Sequence, residues 1–517
     1  MLCRPLLLLL LLATAACGER PTLLIQLQHP SSLDPAATSG TLAVAVLRAD
    51  TGELVDEQEV PTAGLGSRQR LFEGLDLEQG ERYQLRLQLS FESAEAVCVA
   101  GGRRAVGLSP PFVYGSQTEQ IAAYLDCADG SSDTGTPVTR RLYHTASLLP
   151  APAPYGQVLL TGGADPSTNL EQPDVASLLD SLERFDPATG QFVPESGKLS
   201  TPRMLHQAVV DAAGDVLVAG GLAHKSGTVV PVKSVERIRD GRSASLSEMA
   251  AARIYHGAAM VGGKLVLVGG MASIVPLDVL KAVEVYDPTG NAPPGSAEMT
   301  LPRLSMAIVP LADNRRLLVS GGVRVAGLDL PDELVCLEGS CACGKPPCAE
   351  TLGATGFGQG VGRYGVTGTR VDCPSQPGQG AIYLVGGSYE ESTTKEQHIF
   401  DDIFCVDAAS PSAPKRVGNL KLARVGHSTT LIRGPGGKQR LLVAGGSGKK
   451  TGGEGTVWDT AELVEVSCRC DSIAQITLVK LRGQRTLHSA TWLPDGTVLI
   501  AGGVVFGPGA ERFNPDL

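Results

Sequence analysis

The chain of 517 residues is 43% hydrophobic and contains 63 glycines and 34 prolines, which predicts a large core and many turns. This length exceeds that of one ordinary domain, although repeats relax the limit. A formal net charge of −10 and the lack of a basic stripe argue against a general affinity for nucleic acid or for anionic membrane surfaces.

The first 16 residues have the composition of an export signal. Arg4 precedes a run of leucines that ends in small residues and is shorter than the roughly 18–20 residues of a spanning helix. Residues 13–17, ATAAC, resemble the lipobox of bacterial lipoproteins, although Thr14 stands where that motif prefers leucine. We therefore predict a signal peptide at 1–16, acylation of Cys17, and an outer-membrane or cell-surface lipoprotein. The alternative is simple cleavage, which gives a periplasmic or secreted protein.

Residues 17–130 alternate apolar and polar side chains, as in TLAVAVLRA and RYQLRLQLSF, which predicts half-buried strands. The segment GLDLEQGERYQLRLQL resembles the later strands of immunoglobulin-like or fibronectin-type domains. We expect a small antiparallel β-sandwich here. Residues 128–137, ADGSSDTGTP, are small and polar and read as a linker.

One pattern then recurs seven times: an arginine, a short strand, a turn, an apolar strand and a diglycine. The arginines are Arg141, Arg203, Arg253, Arg303, Arg363, Arg424 and Arg485. The diglycines end at Gly163, Gly221, Gly270, Gly322, Gly387, Gly446 and Gly503. A period of 50 to 62 residues with short strands is typical of a repeat architecture.

This pattern resembles the kelch repeat over residues 136–517, although the tryptophan that usually follows the third strand is replaced, for example by Phe192. The resemblance implies four-stranded blades around a central channel, and hence a seven-bladed β-propeller over residues 131–517. The seventh unit ends at its third strand, so we expect residues near 136–140 to complete the last blade and close the ring.

Ten cysteines remain besides Cys3 and Cys17, and an exported chain meets an oxidising compartment. We predict a Cys98–Cys127 disulfide and leave open the pairing of the eight others. Those eight are Cys336, Cys341, Cys343, Cys348, Cys373, Cys405, Cys468 and Cys470. A zinc cluster around Cys341 and Cys343 is the weaker alternative because the paired C-x2-C spacing is absent.

Two further residue types recur in the units. Histidines follow the arginine by three positions at 144, 206, 256, 427 and 488, and we assign them a structural role rather than a metal site. Glutamates 183, 236, 284, 465 and 511 recur on the third strand. A charge between packed blades needs a partner, so we predict repeated Arg–Glu pairs.

Function is expected in the loops after each diglycine, because these are not repeated and open on one rim. The candidate binding residues there are Asp165, Asn169, His224, Glu390, Lys395, His398, Lys449 and Trp458. Trp458 is either an exposed anchor or a residue packed within its loop.

Some kelch propellers are enzymes, such as copper oxidases of the galactose oxidase type and sugar mutarotases. The oxidase needs two His, two Tyr and a Cys, and no ordered set of that kind accompanies Tyr364, Tyr383 and Tyr389. We therefore expect no catalytic residues, metal or cofactor, and a non-enzymatic module that binds or scaffolds a protein or a glycan. A carbohydrate-active enzyme is the alternative.

Overall fold

The computed structural model describes residues 23–29, 40–63, 68–70, 77–91, 104–115, 119–150, 156–167, 177–225, 227–289, 295–324, 330–339, 341–352, 362–391, 394, 396–412, 414–434, 438–450 and 453–516. The predicted signal peptide, Cys17, Cys98, Asn169 and Lys395 lie outside these residues, and the predictions made for them stay predictions. The named elements within the described ranges are all β-strands. In this part of the chain no helix is long and apolar enough to cross a membrane.

The N-terminal region forms one sheet of eight strands. These are β1 (Leu23–Gln28), β2 (Gly40–Arg48), β3 (Leu54–Pro61), β4 (Arg68–Arg70), β5 (Arg82–Phe91), β6 (Arg104–Leu108), β7 (Phe112–Val113) and β8 (Glu119–Cys127). Their order is β3-β2-β5-β6-β8-β1-β4, with β7 beside β5. Alternating residues such as Val44 and Leu87 face one core.

This arrangement differs from the predicted antiparallel sandwich in two ways. The strands are joined in a single hydrogen-bonded path rather than in two separate sheets. In addition, β1 pairs with β8 in parallel, with Ile25 opposite Ile121. Strand pairing across nearly a hundred residues leaves no trace in a local alternation pattern, so the sequence could not show it.

The rest of the described chain contains seven four-stranded sheets, which we number one to seven. Sheet one has β10 (Thr145–Leu148), β11 (Val158–Thr161), β12 (Ser181–Asp186) and β13 (Gln191–Lys198), and sheet two has β15 (Gln207–Val210), β16 (Val216–Ala219), β19 (Val235–Arg239) and β20 (Arg242–Ser245). Sheet three has β21 (Gly257–Val261), β22 (Lys264–Val268), β25 (Ala282–Tyr286) and β26 (Gly295–Glu298), and sheet four has β28 (Ala307–Pro310), β29 (Arg316–Ser320), β31 (Glu333–Cys336) and β32 (Cys348–Thr351). Sheet five has β33 (Thr367–Asp372), β34 (Gly380–Val385), β37 (Asp402–Asp407) and β38 (Lys415–Asn419), and sheet six has β39 (Ser428–Arg433), β40 (Gln439–Ala444), β43 (Thr460–Glu465) and β44 (Ile476–Lys480). Sheet seven has β46 (Ser489–Trp492), β47 (Val498–Ala501), β49 (Ala510–Asn514) and β9 (Gly130–Asp133).

Shorter strands lie between these sheets, after six of the seven diglycines and along the arginine segments. They are β14 (Arg203–Met204), β17 (Leu222–Lys225), β18 (Thr228–Pro231), β23 (Met271–Ser273), β24 (Asp278–Val279), β27 (Arg303–Leu304), β30 (Val323–Arg324), β35 (Ser388–Glu390), β36 (Gln397–Ile399), β41 (Ser447–Lys449), β42 (Gly455–Val457), β45 (Gln484–Thr486) and β48 (Val504–Phe506). Arginine segments pair with the chain that follows the diglycine, as β14 does with β17 and β45 with β48. The post-diglycine loops and the arginine segments therefore share one rim, which we call the hairpin rim.

The seven sheets form a closed ring. Each pair of neighbouring sheets encloses its own apolar core, and Val158 and Leu160 of sheet one pack with Leu499 and Ala501 of sheet seven. The first strands also contact one another in succession, and β46 contacts β10. Packing of sheet against sheet buries both faces, which explains why the second strands read as continuous apolar runs.

The ring is closed by a strand from before the repeats, but not by the predicted residues. Strand β9, residues 130–133, pairs with β49, with Arg512 opposite Ser132. The prediction of residues near 136–140 was therefore wrong by several positions. The closing strand lies inside the segment that composition marked as a linker, because GSSD has small polar side chains that suit an outer strand as well as a loop.

Four disulfides lie within the described residues of sheets four to six. Cys336 is bonded to Cys341 and Cys343 to Cys348, so these thiols are not available to zinc. Cys373–Cys468 and Cys405–Cys470 join sheets five and six. Cys127 is also disulfide-bonded, but Cys98 lies outside the described residues, so that predicted pairing stays a prediction. These disulfides suggest an extracellular or periplasmic location.

Candidate functional site

The seven repeated arginines are buried and each meets a carboxylate of the third strand of its own sheet. The pairs are Arg141–Glu183, Arg203–Glu236, Arg253–Glu284, Arg303–Glu333, Arg363–Asp402, Arg424–Glu462 and Arg485–Glu511. The predicted Arg–Glu pairing is therefore present in six of the seven sheets, and Asp402 takes the place of the glutamate in sheet five. In five of the seven units the guanidinium also donates to the carbonyl of the first glycine of the diglycine, as Arg141 does to Gly162 at 2.8 Å.

Of these carboxylates, one was predicted wrongly from the sequence and two were not predicted. Glu465 was the predicted member in unit six, but it is exposed at the end of β43, whereas Glu462 is fully buried against Arg424. Glu333 and Asp402 were not recognised because each is the first residue of its strand. Asp402 is the shorter acid, and there the guanidinium of Arg363 lies 3.7 Å from the Phe400 ring centre.

A second repeated feature lies two residues after each arginine, where the backbone has positive φ in all seven units. The residues are Tyr143 (φ 51), Leu205 (57), Tyr255 (52), Ser305 (54), Gly365 (65), Gly426 (68) and Leu487 (58). Residues other than glycine rarely adopt this backbone conformation, and each one that does destabilises the fold by on the order of 1 kcal/mol. We call these seven positions the mouth ring.

Backbone hydrogen bonds join neighbouring members of the mouth ring. The Leu205 N–H donates to the Tyr143 carbonyl at 3.2 Å, and the Ser305 N–H donates to the Tyr255 carbonyl at 2.9 Å. Gly365 donates to Ser305 in the same way at 3.1 Å. The left-handed backbone turns these groups along the ring rather than into a strand ladder, so the mouth is fixed by the main chain and its side chains are free to vary.

The mouth ring surrounds a cavity of ≈ 600 Å³. This volume lies within the range of roughly 300–1,000 Å³ that is typical of small-ligand sites. Leu205, Leu304, Val425 and Leu487 supply apolar surface, and Tyr255 supplies an aromatic ring. Asp, Glu, Lys and Arg are absent from the described residues that line it.

Three histidines also border the cavity, and they are uncharged at neutral pH. Burial, with a smaller contribution from Arg141, lowers the pKa of His144 to about 3. Burial likewise lowers the pKa values of His206 and His488 well below the usual range. The cavity is therefore electrically neutral.

Four of the five repeated histidines tie neighbouring sheets together, as the structural assignment predicts, whereas the ring nitrogens of His256 are buried and have no hydrogen-bond partner among the described residues. The Nε2 atom of His144 lies 2.9 Å from the Ser489 hydroxyl, and that of His488 lies 2.9 Å from the Ser428 hydroxyl. Each of these hydroxyls belongs to the first strand of the preceding sheet. The ring nitrogens are thus directed between sheets and not towards a common point.

Two phenols at the mouth interact with each other. Tyr143 and Tyr255 are hydrogen-bonded through their side chains, and burial raises the pKa of Tyr143 to about 12. Tyr364, in sheet five's arginine segment, accepts a hydrogen bond at 2.8 Å from the Gln397 amide of the hairpin β35–β36. Tyr143 and Tyr255 were not predicted as site residues, although both lie two residues after a repeated arginine and this constant offset could have identified them.

The predicted rim residues are distributed around the hairpin rim and do not form one cluster. Asp165 is half-buried and accepts hydrogen bonds from the Ser167 N–H and hydroxyl at 2.8 and 2.7 Å. His224 is half-buried on β17, and Lys449 is exposed on β41. Trp458 is half-buried and donates its indole N–H to the Ala423 carbonyl at 3.0 Å, so its polar edge is engaged within the protein.

Two of the predicted residues, Glu390 and His398, come together on the hairpin β35–β36. The ring of His398 stacks on Tyr389 with centroids 4.9 Å apart and an interplanar angle of 11°. Glu390 lies opposite Gln397 in the same hairpin. Because Gln397 bonds Tyr364 at the mouth, this hairpin connects the aromatic pair to the edge of the cavity.

Comparison with known proteins gives a local sequence match and a fold likeness. The family model of the kelch motif matches residues 252–292. No curated protein matches the chain. The solved structure of a fungal alcohol oxidase of the AA5 family, in complex with copper, aligns with a TM-score of 0.54 at 15% identity, over 75% of this chain and 76% of that chain. The structure of YjhT aligns with a TM-score of 0.46 at 13% identity, over 66% of this chain and 98% of that chain.

These findings support a kelch-repeat β-propeller. The support comes from the motif match and the alcohol oxidase, and at such low identity the likeness to the oxidase shows the fold alone. A kelch fold by itself does not indicate catalysis.

The residues at the mouth of the propeller do not fit a copper group of the galactose oxidase type. Every cysteine within the described residues is disulfide-bonded, and none lines the cavity. Nor do three or more His, Cys, Asp or Glu side chains come together as metal ligands in the described part of the chain. The histidines at the mouth engage hydroxyls between sheets instead.

Proposed function

We propose that this chain is an exported binding protein that receives an uncharged ligand group at the mouth of a seven-bladed kelch propeller. The group is either a sugar ring of a glycan or an apolar side chain of a partner protein. In this proposal the seven sheets are the blades, residues 17–130 are a separate β-rich domain that precedes the propeller, and Cys17 carries the lipid that holds the protein at the bacterial surface.

The neutral lining of the cavity is the observation that carries the proposal. A charged ligand group would lose its hydration without gaining an opposite charge, which costs several kcal/mol. A sugar ring or an apolar side chain instead gains contact with the leucines, and the phenols and the Gln207 amide offer hydrogen bonds at the cavity wall. The hairpin rim surrounds this cavity, so its variable residues would contact the rest of the ligand.

The same lining favours binding over hydrolysis. Glycoside hydrolysis commonly needs two carboxyl groups on either side of the scissile bond, and neither Asp nor Glu lines the cavity within the described residues. A rigid mouth without an acid–base pair is suited to holding a ligand unchanged.

A carbohydrate-active enzyme remains the second candidate, because the fold resembles that of a copper-bound alcohol oxidase. Copper titration of the purified protein tests it directly. Stoichiometric copper binding with oxidation of an alcohol or sugar would replace the binding proposal.

The binding proposal is tested on a glycan array and by a pull-down of surface proteins with the purified propeller. Leu205 is replaced by Asp and, in a matched variant, by Asn; both residues tolerate the positive φ of this position. We expect Leu205→Asp to lose binding at least tenfold more than Leu205→Asn, since only Asp adds a charge. Equal binding by the wild type and Leu205→Asp would contradict a ligand at the mouth.

A further inference from the structure

A second, polar cavity lies between the N-terminal sheet and the last sheet of the ring. Its volume is ≈ 340 Å³, and it is lined by residues of β5 and β6, by Lys438, and by the C-terminal residues 514–516. The even-numbered positions of β5, such as Arg86, point away from the N-terminal core, whereas Leu85 and Leu87 are part of that core. The cavity therefore uses the face of the N-terminal sheet that meets the propeller.

Fixed contacts hold the two walls of this cavity together. The Asn514 amide donates to the Val106 and Asp126 carbonyls at 2.8 and 2.9 Å, and all of these groups are buried. The guanidinium of Arg512 lies 3.7 Å from the centre of the Tyr124 ring. The cavity is thus part of a packed contact between two regions of the chain.

The charges around the cavity are unbalanced in favour of cations. The two lining carboxylates already have partners, because Asp495 pairs with Arg512 and Asp516 pairs with Arg104. The side chains of Arg86 and Lys438 also line the cavity, and neither side chain has a hydrogen-bond or ion-pair partner among the described residues. Arg86 is half-buried and Lys438 is exposed, so both side chains are accessible to an anion that enters the cavity.

We propose that this interdomain cavity binds a small anion whose carboxylate or phosphate oxygens pair with Arg86 and Lys438. The planar guanidinium of Arg86 matches two oxygens of either group, and Lys438 adds a point charge. Val106 and Leu108 are buried and add apolar lining to the same cavity, which can contact a carbon skeleton. The site is separate from the mouth of the propeller and does not depend on the function proposed there.

Isothermal titration calorimetry at low ionic strength tests the site with citrate as the carboxylate probe and pyrophosphate as the phosphate probe. Potassium chloride at matched ionic strength is the reference, because surface charge attraction is screened by salt. We expect saturable binding of one probe with a stoichiometry of one. The preferred probe identifies the anion class.

The variants are Arg86→Gln and Lys438→Gln, each with a matched exposed control. The controls are Arg242→Gln and Lys415→Gln, which remove the same charges from exposed positions on β20 and β38. Each cavity variant should weaken binding at least tenfold, the controls less than twofold, and Arg86→Lys should retain part of the affinity.

The melting temperature of each variant is measured without a probe, to distinguish a loss of binding from a loss of folding. We expect the cavity variants and their controls to have the same melting temperature. Leu205→Asp at the mouth should leave anion binding unchanged. The proposal is overturned if neither probe binds the wild type saturably, or if Arg86→Gln and Lys438→Gln bind as tightly as their controls.

Discussion

Arg424 and Glu462 form an ion pair in which neither side chain is exposed, with Nη2 and Oε1 3.1 Å apart. The same carboxylate accepts hydrogen bonds from the backbone N–H groups of Lys421 and Leu422 at 2.6 and 3.1 Å. One acid therefore neutralises the buried arginine and also fixes the chain that enters sheet six. Equivalent carboxylates do both in most of the other sheets, as Glu183 does for Arg141 and for the N–H groups of Val138 and Thr139.

Replacement of Glu462 by Ala should lower the free energy of unfolding by about 3–5 kcal/mol, since Arg424 would be left buried without a counter-charge. Glu465→Ala, three residues away on the same strand but exposed, should change it by less than about 0.5 kcal/mol. Urea denaturation of both variants measures the difference. Equal losses would mean that the pair does not stabilise the ring.

Much of the ring could be predicted from the sequence because its determinants repeat. The arginines and diglycines mark the same turn in every unit, and the continuous apolar strands between them follow from the burial of both sheet faces. The site was harder to predict, since the mouth ring places Tyr143, Leu205 and Ser305 at one backbone position whose residue type varies. Closure by β9 and the cavity at Arg86 depend on contacts between distant parts of the chain, which no local pattern records.

Glycine at the mouth ring should be required where the next sheet comes closest. A Cβ on Gly426 would lie 2.6 Å from the Thr486 hydroxyl oxygen, and the backbone there has φ +68°. Gly426→Ala should therefore destabilise the protein by about 1–3 kcal/mol through strain and crowding. Gly455→Ala is the control, because a Cβ at Gly455 meets nothing within 4 Å. Chemical denaturation that shows no difference between the two variants would contradict a rigid mouth.

Disulfides that close a long loop should stabilise the protein more than those that close a short loop. Cys373–Cys468 spans 95 residues and Cys343–Cys348 only 5. Loop-closure entropy gives about 4.7 kcal/mol for the long loop and about 2 kcal/mol for the short one. Replacing both cysteines of a pair by serine and measuring unfolding by urea tests this order. A larger loss from the Cys343 and Cys348 double variant would show that the short bridge acts through native contacts instead.

Stability should fall between pH 6.5 and pH 5 because the buried histidines stay neutral in the folded protein. Burial, with a smaller contribution from Arg424, lowers the pKa of His427 to about 3, while an unfolded histidine titrates near 6.5. The unfolded chain therefore binds more protons in this interval, and the stabilisation that is complete above pH 6.5 is lost as the pH falls.

For one such histidine the loss between pH 7.5 and pH 5 is about 2 kcal/mol. The free energy of unfolding of His427→Gln should therefore decrease less than that of the wild type over this pH range, by the same amount. This difference is expected even if the variant is less stable at pH 7.5, since the substitution changes the contact of His427 with the Thr367 hydroxyl at 3.1 Å. Denaturation curves of both proteins at pH 7.5, 6 and 5 give the free energy of unfolding as a function of pH for each. If the free energy of unfolding changed equally with pH in the two proteins, His427 would have to become protonated within the folded ring. That result would contradict the neutral state expected from its burial.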